Sequence, residues 1–133
     1  MRRILFVCVE NSNRSQMAEA FARAHGGAQV EAHSAGSRPT AQINPRAIRF
    51  MAERGIDLST QHSKSLQDID AAPFDAVVTM GCGDACPWIA AARREDWALP
   101  DPKNLPDDEF RAVRDEIESR VLALLRELPA DAH

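Results

Sequence analysis

Apolar positions along the chain follow two rhythms. Arg3–Val7 is a continuous apolar run of strand length, as in a strand buried on both faces, and Phe74–Met80 reads as another buried strand. Gln29–Ser34 reads as a further strand between them, and Glu95–Leu99 as a short fourth one ending at Pro100-Asp101-Pro102. The other rhythm is helical. Ser15–His25 carries Met17, Phe21 and Ala24 on one face and stops at Gly26-Gly27. Asn44-Pro45 supplies an N-cap and an N1 proline for a helix to Arg54, with Ala47, Ile48 and Met51 as its buried stripe and Gly55 closing it. A polar loop through Ser63-Lys64-Ser65 leads to a helical turn near Leu66–Ile69. Gly81–Ala92 is a long loop with room for a short helical stretch after Pro87. The last helix opens near Pro106 and runs to about Leu128, with Phe110, Val113, Ile117, Val121, Leu124, Leu125 and Leu128 at helical spacing.

Strands that alternate with helices predict an α/β fold around a central parallel sheet. No repeat or linker divides the chain, so residues 1–133 read as a single domain. In such sheets ligands bind outside the carboxyl ends of the strands. Cys8 follows the first strand, Cys82 the third and Asp101 the fourth, so all three are expected on one rim.

Composition narrows the class. Hydrophobic residues make up 44% of 133 residues, enough for one core, and no run approaches the ~18 apolar residues of a membrane span. The basic-then-apolar start, Met1–Val7, is too short for a signal sequence and lacks a small-residue cleavage site. A cytoplasmic protein is expected. The net charge of −4 argues against a general nucleic-acid binder, so an anion site must be local. Three cysteines, Cys8, Cys82 and Cys86, cannot all pair with one another. In a reducing compartment such thiols are more often catalytic, redox-active or metal-binding.

The polar loop Cys8-Val9-Glu10-Asn11-Ser12-Asn13-Arg14-Ser15 joins a buried strand to an amphipathic helix. Backbone N–H groups of such a loop can turn inward as an anion nest, and the helix N-terminus adds partial positive charge. Arg14 can reach back to hold a tetrahedral oxyanion with two N–H bonds. The same field favours a Cys8 thiolate, with Ser15 as a donor to it and the Asn11 amide bracing the loop. Cys8 as a small buried hydrophobe and Arg14 as a surface residue are the plain alternative. Glu10 is unexpected beside an anion nest and should point outward.

The stretch Cys8-x-x-Asn11-Ser12-x-Arg14-Ser15-Gln16-Met17-Ala18-Glu19 resembles the signature of the low-molecular-weight protein tyrosine phosphatase fold, in the form found in thiol-dependent arsenate reductases. The resemblance continues through Ser34-Ala35-Gly36, Val77-Val78-Thr79-Met80, Asp101-Pro102 and Arg114-Asp115-Glu116-Ile117. It implies a four-stranded parallel sheet with helices on both faces. It also implies a relay. Cys8 attacks arsenate while Arg14 and the amides of Val9–Ser15 hold its oxygens, and Asp101 protonates the leaving oxygen. Cys82 then attacks Cys8, arsenite departs, and Cys86 resolves the disulfide. The implied partners are arsenate and an external thiol reductant, either thioredoxin or glutaredoxin with a small thiol, with no tightly bound cofactor and no metal.

Two departures from thioredoxin-linked members stand out. Their loop cysteines lie further apart than Cys82 and Cys86, and they often carry a cysteine where this chain has Asn13. From spacing alone, the Cys82/Cys86 pair fits a redox couple, half of a zinc site or two inert thiols; Gly81 and Gly83 suit a loop that moves. Some family members bind potassium through residues equivalent to Asn11 and Glu19 and an acidic side chain at the position of Lys64. The Lys64 ammonium is therefore expected to stand in for the ion, pairing with Glu19 and bracing Asn11. His62 is expected to be structural or on the surface. The competing activity is a phosphomonoesterase working through a Cys8 phosphoenzyme, including a protein tyrosine phosphatase. The chain has no tyrosine, hence no Asp-Pro-Tyr motif to flank an aryl substrate; position 103 is Lys103. A non-enzymatic oxyanion or metalloid sensor is the third class, and it leaves Asp101 without a purpose.

Overall fold

The computed structural model describes all residues except 1, 41, 70–72, 82–88, 90 and 129–133. Its elements are β1 (Arg2–Cys8), α1 (Arg14–Gly26), β2 (Val30–Gly36), α2 (Pro45–Ala52), β3 (Phe74–Thr79), β4 (Ala91–Asp96) and α3 (Asp107–Glu127). Single 3-10 turns sit at Gly27–Gln29, Leu58–Thr60, Leu66–Asp68 and Pro102–Asn104. The four strands form one parallel sheet in the order β2-β1-β3-β4. The chain leaves β1 toward β2 on one side and returns to β3 on the other. The crevice beyond the carboxyl ends of β1 and β3 is therefore the topological switch point, where open α/β sheets bind ligands.

Alternation along β1 explains the two cores. Ile4, Phe6 and Cys8 face a cluster with Met17 and Phe21 of α1, Phe50 and Met51 of α2, and Phe110, Ile117 and Val121 of α3. Leu5 and Val7 face the opposite cluster, with Ala35, Phe74 and Val77, covered by Leu66, Ile69 and Ile89. Burying each such large apolar side chain contributes roughly 1.5–3 kcal/mol. The larger cluster thus fixes α1, and with it the nucleophile loop, against the sheet. The α3 start carries Asp107, Asp108 and Glu109 in its first turn, favourable at the positive end of a helix.

Several sequence expectations shift. The fourth strand is Ala91–Asp96, not Glu95–Leu99. It is last in the sheet order, and its Arg-Arg-Glu-Asp run is what a sheet edge carries to discourage further pairing. The apolar residues that suggested a later strand are packed beyond its end. Trp97 N–H donates to Thr79 O (2.8 Å), and its ring lies 5.8 Å from that of Phe6. In α1 the last turn outruns the core, so Ala24 is exposed while Ala18, Ala20 and Ala22 are buried. In α2 the fully buried aromatic is Phe50, against Phe110 at 4.9 Å, and Ile48 is half-buried. The helical stretch expected after Pro87 falls largely outside the described residues. Among the described residues no helix is long and apolar enough to cross a membrane.

Candidate active site

Cys8 ends β1 and is buried, and α1 begins at Arg14, so five residues make the turn. Every carbonyl in that turn accepts from a donor outside it. Ser37 N–H donates to Cys8 O (3.3 Å), Arg38 N–H to Val9 O (2.8 Å), and Thr40 N–H to Glu10 O (3.2 Å). Gln16 Nε2 donates to Asn11 O (3.0 Å). Asn44 N–H donates to Ser12 O (3.0 Å) and Met17 N–H to Asn13 O (2.9 Å). A planar trans peptide points its N–H opposite its C=O. Outward carbonyls therefore leave the loop amides directed inward, toward a pocket of about 160 Å³ lined by Cys8, Val9, Glu10, Ser12, Asn13, Arg14 and Asp101. The positive φ of Asn11 (52°) makes the bend, and Asn11 N–H lies 3.2 Å from Cys8 Sγ.

The sulfur has a second donor. Lys64 N–H, which can only donate, reaches Asn11 Oδ1 at 2.7 Å. This fixes the Asn11 amide so that Nδ2 donates to Ser15 Oγ at 2.8 Å. Ser15 Oγ lies 2.8 Å from Cys8 Sγ, and when Cys8 is ionised the hydroxyl is the only possible donor of that pair. Gln16 locks the network from behind, with Nε2 donating also to Asn11 Oδ1 (2.8 Å) and His62 O (2.9 Å).

Arg14 is buried, and its Nη1 donates to Leu99 O at 2.9 Å, which holds the guanidinium at the pocket wall. Gly81 is required there. Its φ is +79°, and a Cβ would sit 2.5 Å from Arg14 Nη1. Gly36 is also fitted by close approach, since its Cβ would meet Val9 O at 2.6 Å. Asp101 is exposed, lines the pocket, and accepts from Lys103 N–H through Oδ1 (3.0 Å).

Glu10 does not point away. It is half-buried in the pocket wall, with Oε1 3.5 Å from Lys103 Nζ and Oε2 accepting from Ser12 Oγ (3.4 Å). A lysine offsets the charge that would repel an anion. Lys64 Nζ lies 3.4 Å from Oε1 of buried Glu19 and donates to His62 O (2.9 Å); Ser34 Oγ also donates to Glu19 (2.7 Å). The lysine therefore pairs with Glu19 through its ammonium and braces Asn11 through its backbone. The His62 side chain is exposed, while its carbonyl serves the network. Cys82 and Cys86 lie outside the described residues.

Sequence reasoning gave no role to Gly36, the Leu99 carbonyl or Gln16, because each acts through contacts with other segments. Among the described residues no three His, Cys, Asp or Glu side chains gather as metal ligands. A larger hollow of about 440 Å³ lies between β4 and α3. Its two arginines are both taken up in ion pairs, Arg93 with Glu95 and Glu127 and Arg120 with Glu116, and no nucleophile is among its described lining residues.

The profile described as low molecular weight phosphotyrosine protein phosphatase matches residues 3–133. A protein of Synechocystis named glutaredoxin arsenate reductase is 37% identical, over 96% of this chain and 99% of its own. A solved structure described as an arsenate reductase in the phosphate binding state superposes with a TM-score of 0.89 at 37% identity, covering 97% of this chain and 100% of that one. A low molecular weight protein tyrosine phosphatase from T. tengcongensis superposes at 0.81 with 26% identity, over 96% of this chain and 100% of that one. The Cys8–Ser15 loop, the sheet order and these matches agree: the chain belongs to the low molecular weight phosphotyrosine protein phosphatase family.

Proposed function

We propose that this chain is an arsenate reductase that serves arsenic detoxification in the cytoplasm. The observation that carries the reading is the amide nest around Cys8 and Arg14. Its pocket of about 160 Å³ is well below the ~300–1,000 Å³ of pockets for organic ligands, and suits one tetrahedral inorganic anion. The two cysteines that follow β3 give the site a use for electrons that hydrolysis lacks. Relatives named arsenate reductase, similar over nearly their whole length, support the same substrate.

In the proposed reaction the amides of Val9–Ser15 and the Arg14 guanidinium hold the oxygens of arsenate. Cys8 Sγ attacks arsenic, and Asp101 gives its proton to the oxygen that leaves as water. Cys82 attacks the Cys8 sulfur. The electron pair of the S–As bond goes to arsenic, which departs as arsenite, and a Cys8–Cys82 disulfide remains. Cys86 then displaces Cys8 from Cys82, and an external thiol reduces Cys82–Cys86. Two thiols supply the two electrons that arsenic gains. Lys64, with Asn11, Ser15 and Glu19, supports the loop in place of a bound cation. Glutaredoxin with a small thiol is the favoured reductant over thioredoxin, on the name of the Synechocystis relative and the short Cys82–Cys86 spacing.

The test is arsenate-dependent NADPH oxidation, measured with glutaredoxin plus glutathione and its reductase and separately with thioredoxin plus its reductase, beside p-nitrophenyl phosphate hydrolysis. Turnover of arsenate that is lost in Cys8→Ser and in Cys82→Ser is expected. Efficient ester hydrolysis with no arsenate turnover would make the protein a phosphatase. Full arsenate turnover in both Cys82→Ser and Cys86→Ser would end the relay. Strong, saturable activation on replacing sodium by potassium would remove Lys64 from the role of the ion.

A further inference from the structure

One side chain from outside the site donates to several carbonyls of the Asp101 turn. Arg46, in the first turn of α2, spreads its guanidinium under residues 102–105. Its Nη1 donates to Lys103 O (3.1 Å) and Pro102 O (3.4 Å), and Nη2 donates to Leu105 O (2.6 Å) and Asp107 Oδ1 (3.1 Å). The guanidinium packs on Phe110, with Cζ 4.9 Å from the ring centroid, which fixes its plane. Three of these acceptors are backbone carbonyls of the turn that Asp101 caps. The same helix start is tied to the nucleophile loop. Asn44 Oδ1 accepts from Arg46 N–H (2.9 Å), and Asn44 N–H donates to Ser12 O (3.0 Å).

We propose that Arg46 is a positioning residue for the proton donor: through α2 it sets the Asp101 turn at a fixed distance from the Cys8 loop. The inference rests on the reading of Asp101 as the acid. Asp101 itself is exposed and capped only locally by Lys103 N–H, so its own contacts do not hold it over the pocket. A general acid must come within hydrogen-bond reach of the leaving oxygen. A five-donor planar fork is suited to clamping several carbonyls at once, which a lysine ammonium cannot copy.

The experiment is a double-mutant cycle on arsenate reduction with Arg46→Met, Arg46→Lys, Asp101→Asn and the combinations, beside the affinity for inorganic phosphate measured by calorimetry. Asp101→Asn is expected to lower kcat about 10²-fold. Arg46→Met is expected to lower kcat about thirtyfold, with KM and phosphate affinity shifting less than threefold, and to cost nothing further in the Asp101→Asn background. Arg46→Lys folds more readily, because it keeps the charge over Phe110, and is expected to lose about tenfold with the same lack of additivity. Asp107→Asn removes only the exposed ion pair and should keep kcat. Arg46 and Asp101 effects that multiply, or a kcat unchanged in both Arg46 variants, overturn the inference and leave the acid assignment standing. A harmless Asp101→Asn overturns the acid assignment and this inference with it. If the native chain does not turn over arsenate, the parent reading fails instead, and the same cycle on p-nitrophenyl phosphate, whose leaving oxygen also takes a proton, decides the role of Arg46.

Discussion

The Cys8 loop and the Asp101 turn, the proposed nucleophile and acid, line one small pocket, yet they are built in opposite ways. Residues 11–15 are all buried, and the carbonyls from Cys8 to Asn13 each accept from a donor outside the pocket. Asp101–Leu105 is mostly exposed and is held by a local cap, by the exposed Lys103–Glu10 pair and by Arg46. The loop must present donors that do not reorganise as charge builds on the bound anion, and rigidity provides that. The Asp101 turn is the exposed side of that pocket, and in the proposed reaction it meets the leaving oxygen there. One half is preorganised by burial and the other by a bracket from a neighbouring helix.

That contrast can be broken most severely from the loop side. Arg14→Lys keeps the charge but removes the planar fork, and arsenate kcat/KM should fall about 10³-fold together with phosphate affinity. A loss below tenfold would mean that the amides alone hold the anion. Gly81→Ala attacks the same guanidinium indirectly, because the new Cβ would sit 2.5 Å from Arg14 Nη1 and φ is +79°. A drop of about tenfold or more in kcat/KM is expected, with about 1–3 kcal/mol of stability lost in urea unfolding. Native activity and stability would show that Arg14 has slack. On the exposed side the effects shrink. Lys103→Met leaves Glu10 uncompensated, and the arsenate KM should rise about threefold at low salt and return toward native at 1 M salt. Glu10→Gln should move KM the other way.

The smallest effect lies outside the site, where α2 meets α3. Hydrogen bonds from Arg111 and then Arg114 hold the Glu53 carboxyl down at about 2, below its ordinary 4.5. A depressed folded value means that the contribution is fully present above pH ~4.5 and is lost as pH falls toward 2. The melting-temperature difference between the native chain and Glu53→Gln should therefore be constant above pH ~5 and close on acidification. A difference that widens in acid would place the ion pair elsewhere.

The same contrast explains what the sequence made legible. The loop is contiguous, and its amides, arginine and proposed nucleophile occupy eight successive positions, Cys8–Ser15, so its chemistry could be read directly. Buried β1 and β3 and the long stripe of α3 were legible because burial on both faces, or on one face over many turns, leaves a periodic record. The edge strand β4 was misplaced because its exposed side selects charge, as in Arg93-Arg94-Glu95-Asp96, and Trp97 and Leu99 mimic a strand just beyond it. Glu10 was misread because its partner, Lys103, is 93 residues away. Arg46 gave no signal at all, since an arginine in the first turn of an amphipathic helix looks like any solvated charge. Its meaning lies in three carbonyls more than fifty residues distant.

The most direct measurement is a single turnover. Fully reduced protein is mixed with excess arsenate and no external reductant, arsenite is quantified, and thiols and disulfides are mapped by mass spectrometry after acid quench. A Cys8-initiated relay yields one arsenite per chain, one remaining thiol at Cys8 and a Cys82–Cys86 disulfide. Three free thiols and no arsenite, or arsenite formed as well by Cys8→Ser, would contradict it.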